Sequence, residues 1–210
     1  MLKTERMDRV RAALRAQGLT QMIVCDPKSV WYLTGVAVEP YERLLALYLP
    51  TEGEPVLFLN RLFNVPEPPC RTVWHTDTDK PVAQIAEVVD AGRPLGIDKE
   101  WPAKFLIPLM ETHPGMQVVL SSDCVDDCRA CKDAEEQALM REASRINDAV
   151  NEAAKHYIKA GMTEREVAEF IDAQFRAHGC EGPSFTTIVS FGANAADPHH
   201  EPDDTVLKEG

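Results

Sequence analysis

A loop near the end of the chain carries the residues best suited to chemistry. It reads ANAADPHHEPDD and places His199 and His200 side by side, between Asp197 and Glu201. An imidazole can accept or donate a proton near neutral pH, and imidazoles with carboxylates can also hold a metal ion. Neighbouring loop residues rarely converge on one ion. A local metal site and a solvated acidic loop are therefore both open interpretations.

Three closely spaced cysteines form a second candidate site. Cys124, Cys128 and Cys131 lie close together, and Cys180 is a more distant fourth thiol. Structural zinc sites use four ligands, commonly in C-x-x-C pairs, and Cys128 and Cys131 make one such pair. The spacing allows a zinc site. It also fits free thiols at a domain junction, which is the simpler interpretation.

The elements that must position these residues alternate between strand and helix over the first half of the chain. Apolar residues at helical spacing, with Pro and Gly as punctuation, predict helices near residues 4–17, 27–35, 81–90 and 102–110. Apolar runs predict strands at residues 21–26, 43–50, 55–60, 72–76, 94–98 and 116–122. Pro108 is expected to end or kink the last helix. Such alternation indicates an α/β layered domain.

The composition changes after residue 122, where a polar, cysteine-rich segment begins. We interpret residues 123–132 as a linker that joins a first domain, residues 1–122, to a second unit, residues 133–210. We expect the first domain to hold without the second unit. The segment after Lys132 is expected either to pair with another chain or to be loosely packed.

Two helices and one strand are predicted in the second unit. A long helix at residues 134–158 has one apolar face. Thr163 and Glu166 form a capping box for the next helix, which ends near residue 177. Residues 185–192 then have the composition of a β-strand and lead into the histidine loop.

Charge and hydropathy limit the classes of partner. The net charge is −12 and the cations form no basic stripe, which argues against nucleic acid as a partner. The first residues contain no apolar signal segment, and no run of about 18 apolar residues predicts a membrane span. The six cysteines are then expected to stay reduced, so the sequence favours a cytoplasmic protein.

Residues 190–210 resemble the start of the catalytic domain in the creatinase, prolidase and aminopeptidase P family. In that family a strand ends in G-x-N, a loop carries a Pro-His pair, and x-L-x-x-G introduces the next strand. The matching residues here are Gly192-Ala193-Asn194, Pro198-His199 and Leu207-Lys208-Glu209-Gly210. Upstream, residues 132–149 and 161–171 are similar to the first two helices of that domain. The sequence WYLTG at residues 31–35 resembles part of the family's N-terminal domain.

The resemblance implies an α/β fold in which an N-terminal mixed-sheet creatinase-like domain precedes the first helices and strand of an incomplete pita-bread (α+β) catalytic domain. It implies a Xaa-Pro peptidase that hydrolyses the bond before proline with two divalent metal ions, manganese, cobalt or zinc. The family's five ligands are two Asp, one His and two Glu, and in family order all lie beyond Gly210. We therefore expect no metal ligand, no bound metal and no activity in this chain alone.

The loop histidine after the proline matches the family's substrate-pocket histidine. The resemblance thus assigns a catalytic and substrate-binding role to His199 and a substrate-binding role to Asn194, and it assigns none to His200. The implied partners are a proline-containing peptide and a second copy in a homodimer. Two alternatives stay open: a non-catalytic peptidase-like module that binds proteins, and a creatinase-like hydrolase of a small C–N compound.

Overall fold

The strands in the first half of the chain pair into one mixed sheet. In the computed structural model, which describes residues 2–209, the strands are β1 (Gln21–Val24), β2 (Ala46–Pro50), β3 (Val56–Asn60), β4 (Arg71–His75), β5 (Leu95–Ile97) and β6 (Val118–Leu120). Their order is β4-β3-β2-β1-β5-β6. The β1–β2 and β2–β3 pairs are antiparallel, and the other three pairs are parallel. The predicted mixed sheet and the β2–β3 hairpin are confirmed.

Helices cover both faces of this sheet because successive strand residues point to opposite sides. Met22 packs with α1 (Thr4–Ala16), α2 (Pro27–Thr34) and α5 (Asp123–Ala130) on one face. Its neighbour Ile23 packs with α3 (Pro81–Ala86) and α4 (Ala103–Thr112) on the other. The strands β1 and β3 are buried throughout, as expected of a sheet covered on both sides. The first unit, Met1–Cys131, thus has its own core.

The helix α4 continues past Pro108 to Thr112, so of the two effects expected of this proline, ending the helix does not occur. One sequence expectation in this unit needs correction. The expected linker contains a helix, α5 (Asp123–Ala130), which belongs to the first unit. This segment is not a free linker because Cys124 and Val125 are buried in the core on the α1 and α2 face of the sheet. The Arg129 guanidinium also donates a hydrogen bond to Asp26, 3.1 Å away.

The second unit, Lys132–Gly210, contains two long helices. These are α6 (Ala134–Tyr157) and α7 (Glu164–Ala177), followed by a short 3-10 helix, Gly192–Ala196. The rings of Tyr157 and Phe170 stack with centroids 3.8 Å apart and join the two helices. Of the α6 residues, only Val150 and Ala154 are buried, and the first part of its predicted apolar face, at Leu139 and Ala143, is exposed.

The predicted strand at residues 185–192 is not formed. This segment runs without a ladder, because no strand among the described residues of the second unit lies beside it. Phe185 is 70% exposed and Ile188 is 42% exposed. Together with α6 and α7, the segment lines an open apolar groove of about 630 Å³.

Candidate functional site

The site is built at the first turn of α7. Thr163 is the N-cap of this helix, and its hydroxyl accepts a hydrogen bond from Glu166 N–H at 3.2 Å. Glu166 returns the contact, because its carboxylate accepts from Thr163 N–H at 2.8 Å. The predicted capping box is confirmed. It leaves Glu164, one of the two residues between its members, free for contacts outside the helix.

The Glu164 carboxylate is completely buried, with 0% of the residue exposed. One oxygen accepts hydrogen bonds from Phe191 N–H at 2.6 Å and from the Asn194 amide at 3.0 Å. The other oxygen lies 2.6 Å from His200 Nε2 and accepts from Asp203 N–H at 3.2 Å. Burial would raise the pKa of Glu164, but the hydrogen bonds from these four donors outweigh it and lower the pKa to about 2.

A short backbone ladder closes the loop against the start of α7. Gly161 N–H donates to Leu207 C=O at 2.9 Å, and Leu207 N–H donates to Met162 C=O at 2.8 Å. Thr163 and Val206 form an antiparallel bridge. The loop from residue 191 to residue 207 is therefore fixed at its end by backbone bonds and in its middle by Glu164.

The structure separates the two adjacent histidines. His199, the residue expected to act on substrate, is exposed, and its backbone N–H donates to Asp197 Oδ1 at 2.9 Å. His200, to which the sequence assigned no role, is turned inward with 15% of its side chain exposed. Asn194 joins it, since its amide nitrogen donates to Glu164 and to Thr205 Oγ1, 3.1 Å away. The loop thus brings Asn194 and His200 together but not His199.

Glu164, His200 and Asp203 are the one group among the described residues with the spacing of a metal site. Their chemistry does not fit a cation. Both Glu164 oxygens already accept two hydrogen bonds each, two of them from backbone N–H groups that cannot move aside. A cation there would face those N–H donors. This group is therefore a hydrogen-bond network around a buried carboxylate.

The cysteines do not form a second site of this kind. All six are free thiols, and no cysteine belongs to the metal-spaced group found within residues 2–209. Cys124 is buried, and burial first, then the neighbouring Cys128 thiol and nearby aspartates, raise its pKa to about 11. The segment therefore carries free thiols, the simpler of the two sequence interpretations: Cys124 is buried, Cys128 is half-buried and Cys131 is exposed.

Both units of the chain match models of known protein families. Residues 6–131 match the model of the creatinase/prolidase N-terminal domain, and residues 138–210 match that of metallopeptidase family M24. The chain belongs to the creatinase/prolidase family. Membership of a metallopeptidase family implies divalent metal use, although these matches do not identify the ion.

Similar proteins agree with this assignment. The chain is 31% identical to the probable dipeptidase PepE of Mycobacterium bovis, over 95% of this chain and 55% of that protein. It superposes on the dipeptidase PepE of Mycobacterium ulcerans with a TM-score of 0.86 at 29% identity, over 98% of this chain and 57% of the other. It superposes on a prolidase of Thermococcus sibiricus with a TM-score of 0.89 at 26% identity, over 100% and 59%.

The extent of these matches matters for function. The chain spans less than 60% of the length of each of these three relatives. The mixed α/β architecture of the first unit is the family's N-terminal fold, as expected from the sequence. No helix within residues 2–209 is long and apolar enough to cross a membrane.

Proposed function

We propose that this chain is the front part of a Xaa-Pro peptidase, of the dipeptidase or aminopeptidase P type, that hydrolyses the bond before proline. The first unit would be the family's N-terminal domain and the second unit the beginning of its pita-bread catalytic domain. The observation that carries the proposal is the anchored loop. Its buried carboxylate network fixes residues 191–203 and leaves His199 on the outside, where a ligand can reach it.

The proposed roles follow from what each side chain has left to offer. His199 can donate or accept a hydrogen bond to a peptide and can exchange a proton with it near neutral pH. The amide nitrogen of Asn194 donates both its hydrogens, one to Glu164 and one to Thr205. Asn194 would therefore contact the substrate through its acceptor Oδ1. Asn194 then supports the loop and contributes one acceptor.

The remaining parts of the proposal concern the rest of the family fold. We place the family's metal ligands beyond Gly210 and expect the two divalent ions, manganese, cobalt or zinc, to bind only when that part is present. This chain alone is then inactive. The uncovered faces of α6 and of residues 185–192 support this, because a larger domain would supply the missing layer. We also propose a cytoplasmic homodimer, on the strength of the sequence resemblance.

The test compares this chain with an extended form that continues to the family's length, taken from the codons after Gly210 or grafted from the Mycobacterium bovis relative. Both are assayed with Mn²⁺ on Ala-Pro, on Ala-Pro-Ala and on the control dipeptide Ala-Ala. We expect hydrolysis of a proline substrate by the extended form only. Activity of this chain alone would refute the proposal, and so would an extended form that prefers Ala-Ala. An extended form that folds but cleaves none of the three would favour the binding module or the hydrolase of small C–N compounds.

A further inference from the structure

The Glu164 carboxylate has more partners than the start of a helix needs. The capping box of α7 is completed by Thr163 and Glu166 without it. Its four donors instead come from Phe191, Asn194, His200 and Asp203. Burying a carboxylate costs free energy unless it is fully hydrogen-bonded. The four donors offset that cost and hold the residues that supply them in one arrangement.

We propose that Glu164 is a positioning residue that holds His200 inside the loop and thereby turns its neighbour His199 outward. The four hydrogen bonds span residues 191–203, so one side chain orders the loop on both sides of the histidine pair. A contact between the outward His199 and a peptide rests on the proposed function. The positioning of the two histidines by Glu164 does not depend on that function.

The hydrogen-bond network determines which nitrogen of His200 carries its proton. His200 Nε2 lies 2.6 Å from the Glu164 oxygen and 3.2 Å from the Asn194 amide nitrogen. The two Asn194 hydrogens are directed to Glu164 and Thr205, so Asn194 has none for His200. If Nε2 carried no hydrogen, its lone pair would face the carboxylate oxygen at hydrogen-bond distance, and the two acceptors would repel each other. Nε2 therefore carries a hydrogen and donates it to Glu164.

The other ring nitrogen is left without a bond. No residue within 2–209 hydrogen-bonds His200 Nδ1, so the neutral ring presents a single acceptor there, and only one tautomer fits the site. His199 has no such restraint, because its described hydrogen bond is made by its backbone. The two histidines should therefore differ sharply in tautomer and in the exchange of their ring protons, although they are adjacent in sequence.

The experiment is nuclear magnetic resonance of the histidine rings and backbone amides of this 210-residue chain. Wild type is compared with Glu164→Gln and with the matched control Glu169→Gln, an exposed residue of the same helix. In wild type we expect His200 in the Nε2–H tautomer with a slowly exchanging ring proton, and His199 as a mixture with fast exchange.

Glu164→Gln is expected to disturb the loop, since the new amide group faces two N–H donors whichever way it turns. His200 should become a tautomer mixture. The amides of Phe191 and Asp203 should exchange about tenfold faster or more, whereas Glu169→Gln should leave both unchanged. The amides of Val167 and Ala168, buried in α7, report whether the unit is still folded. If Glu164→Gln matches the control at His200 and at both loop amides, the proposal is refuted.

A second pair of variants decides the matter if Glu164→Gln unfolds the unit. His200→Gln can still donate to Glu164 and should keep the loop amides protected to within about threefold, whereas His200→Ala should lose that protection. Equal protection in His200→Ala and wild type would overturn the proposal. None of these readouts uses peptide hydrolysis, so a failure here is distinct from a failure of the proposed function.

Discussion

Removing the carboxylate of Asp98 should destabilise the first unit strongly. This side chain is 5% exposed and follows β5 directly, beside the end of the parallel strand β1. It accepts from the backbone N–H groups of Cys25 at 2.5 Å, Asp26 at 2.8 Å and Glu100 at 3.1 Å, and from the Cys25 thiol at 2.8 Å. Asp98→Ala would leave three backbone donors without their acceptor.

The size of the effect follows from where those donors lie. An unpaired buried N–H costs about 1–3 kcal/mol, and less where water can replace the partner. The Cys25 N–H is buried and should bear the full cost, whereas the Asp26 and Glu100 groups are partly buried. We expect a total loss of about 3–4 kcal/mol, which is large against a net stability of about 5–15 kcal/mol.

Urea unfolding followed by tryptophan fluorescence measures this directly. All three tryptophans, Trp31, Trp74 and Trp101, lie in the first unit, so the signal reports that unit alone. With a urea dependence of about 2 kcal/mol per molar, the midpoint should fall by about 1.5–2 M. Asp127→Asn, an exposed residue of α5, is the matched control and should shift the midpoint little. A shift in Asp98→Ala as small as in the control would show that Asp98 does not join the two strand ends.

Three further predictions concern the thiols, the second unit and its pH dependence. Iodoacetamide at pH 8, followed by mass spectrometry, should label exposed Cys131 first and Cys124 only on unfolding, because burial and its neighbours raise the pKa of Cys124 to about 11. Tyr157→Ala should destabilise the second unit by about 2–3 kcal/mol through loss of the stack with Phe170, measured from its amide signals in urea, and a loss below about 0.5 kcal/mol would contradict the packing. The pKa of Glu164 is lowered from 4.5 to about 2, so its stabilisation is complete above pH 4.5 and is lost as the pH falls towards 2. The loss of stability of the second unit at acid pH should therefore be smaller in Glu164→Gln than in wild type. An unchanged acid transition would contradict the network.

Much of the first unit could be predicted from the sequence because its apolar residues follow the periods of strand and helix. The strand order was not accessible, since it depends on which edges meet in space. The helix α5 was missed because its composition is polar. The available signal was the apolar pair of Cys124 and Val125 within that polar segment. Both residues are buried in the core on the α1 and α2 face of the sheet.

In the second unit, the sequence predicted the two helices but not the conformation of residues 185–192. Residues 185–192 have strand composition, but a strand needs a neighbour to pair with, and composition does not provide one. At the site, the sequence pointed to His199 and Asn194 and missed His200 and Glu164. At the start of α7 the sequence analysis indicated only the capping box of Thr163 and Glu166. The available signal was a carboxylate next to a capping box that was already complete.

The most direct test of the account is the activity of His199→Gln in the extended form defined above, with His178→Gln, an exposed histidine at the end of α7, as the control. We predict that kcat/KM for a Xaa-Pro peptide falls by about 10²-fold or more in His199→Gln and stays near wild type in the control, because in the proposed function the outward imidazole contacts the substrate. Equal activity in the two variants would contradict the assignment of His199 and with it the proposed site.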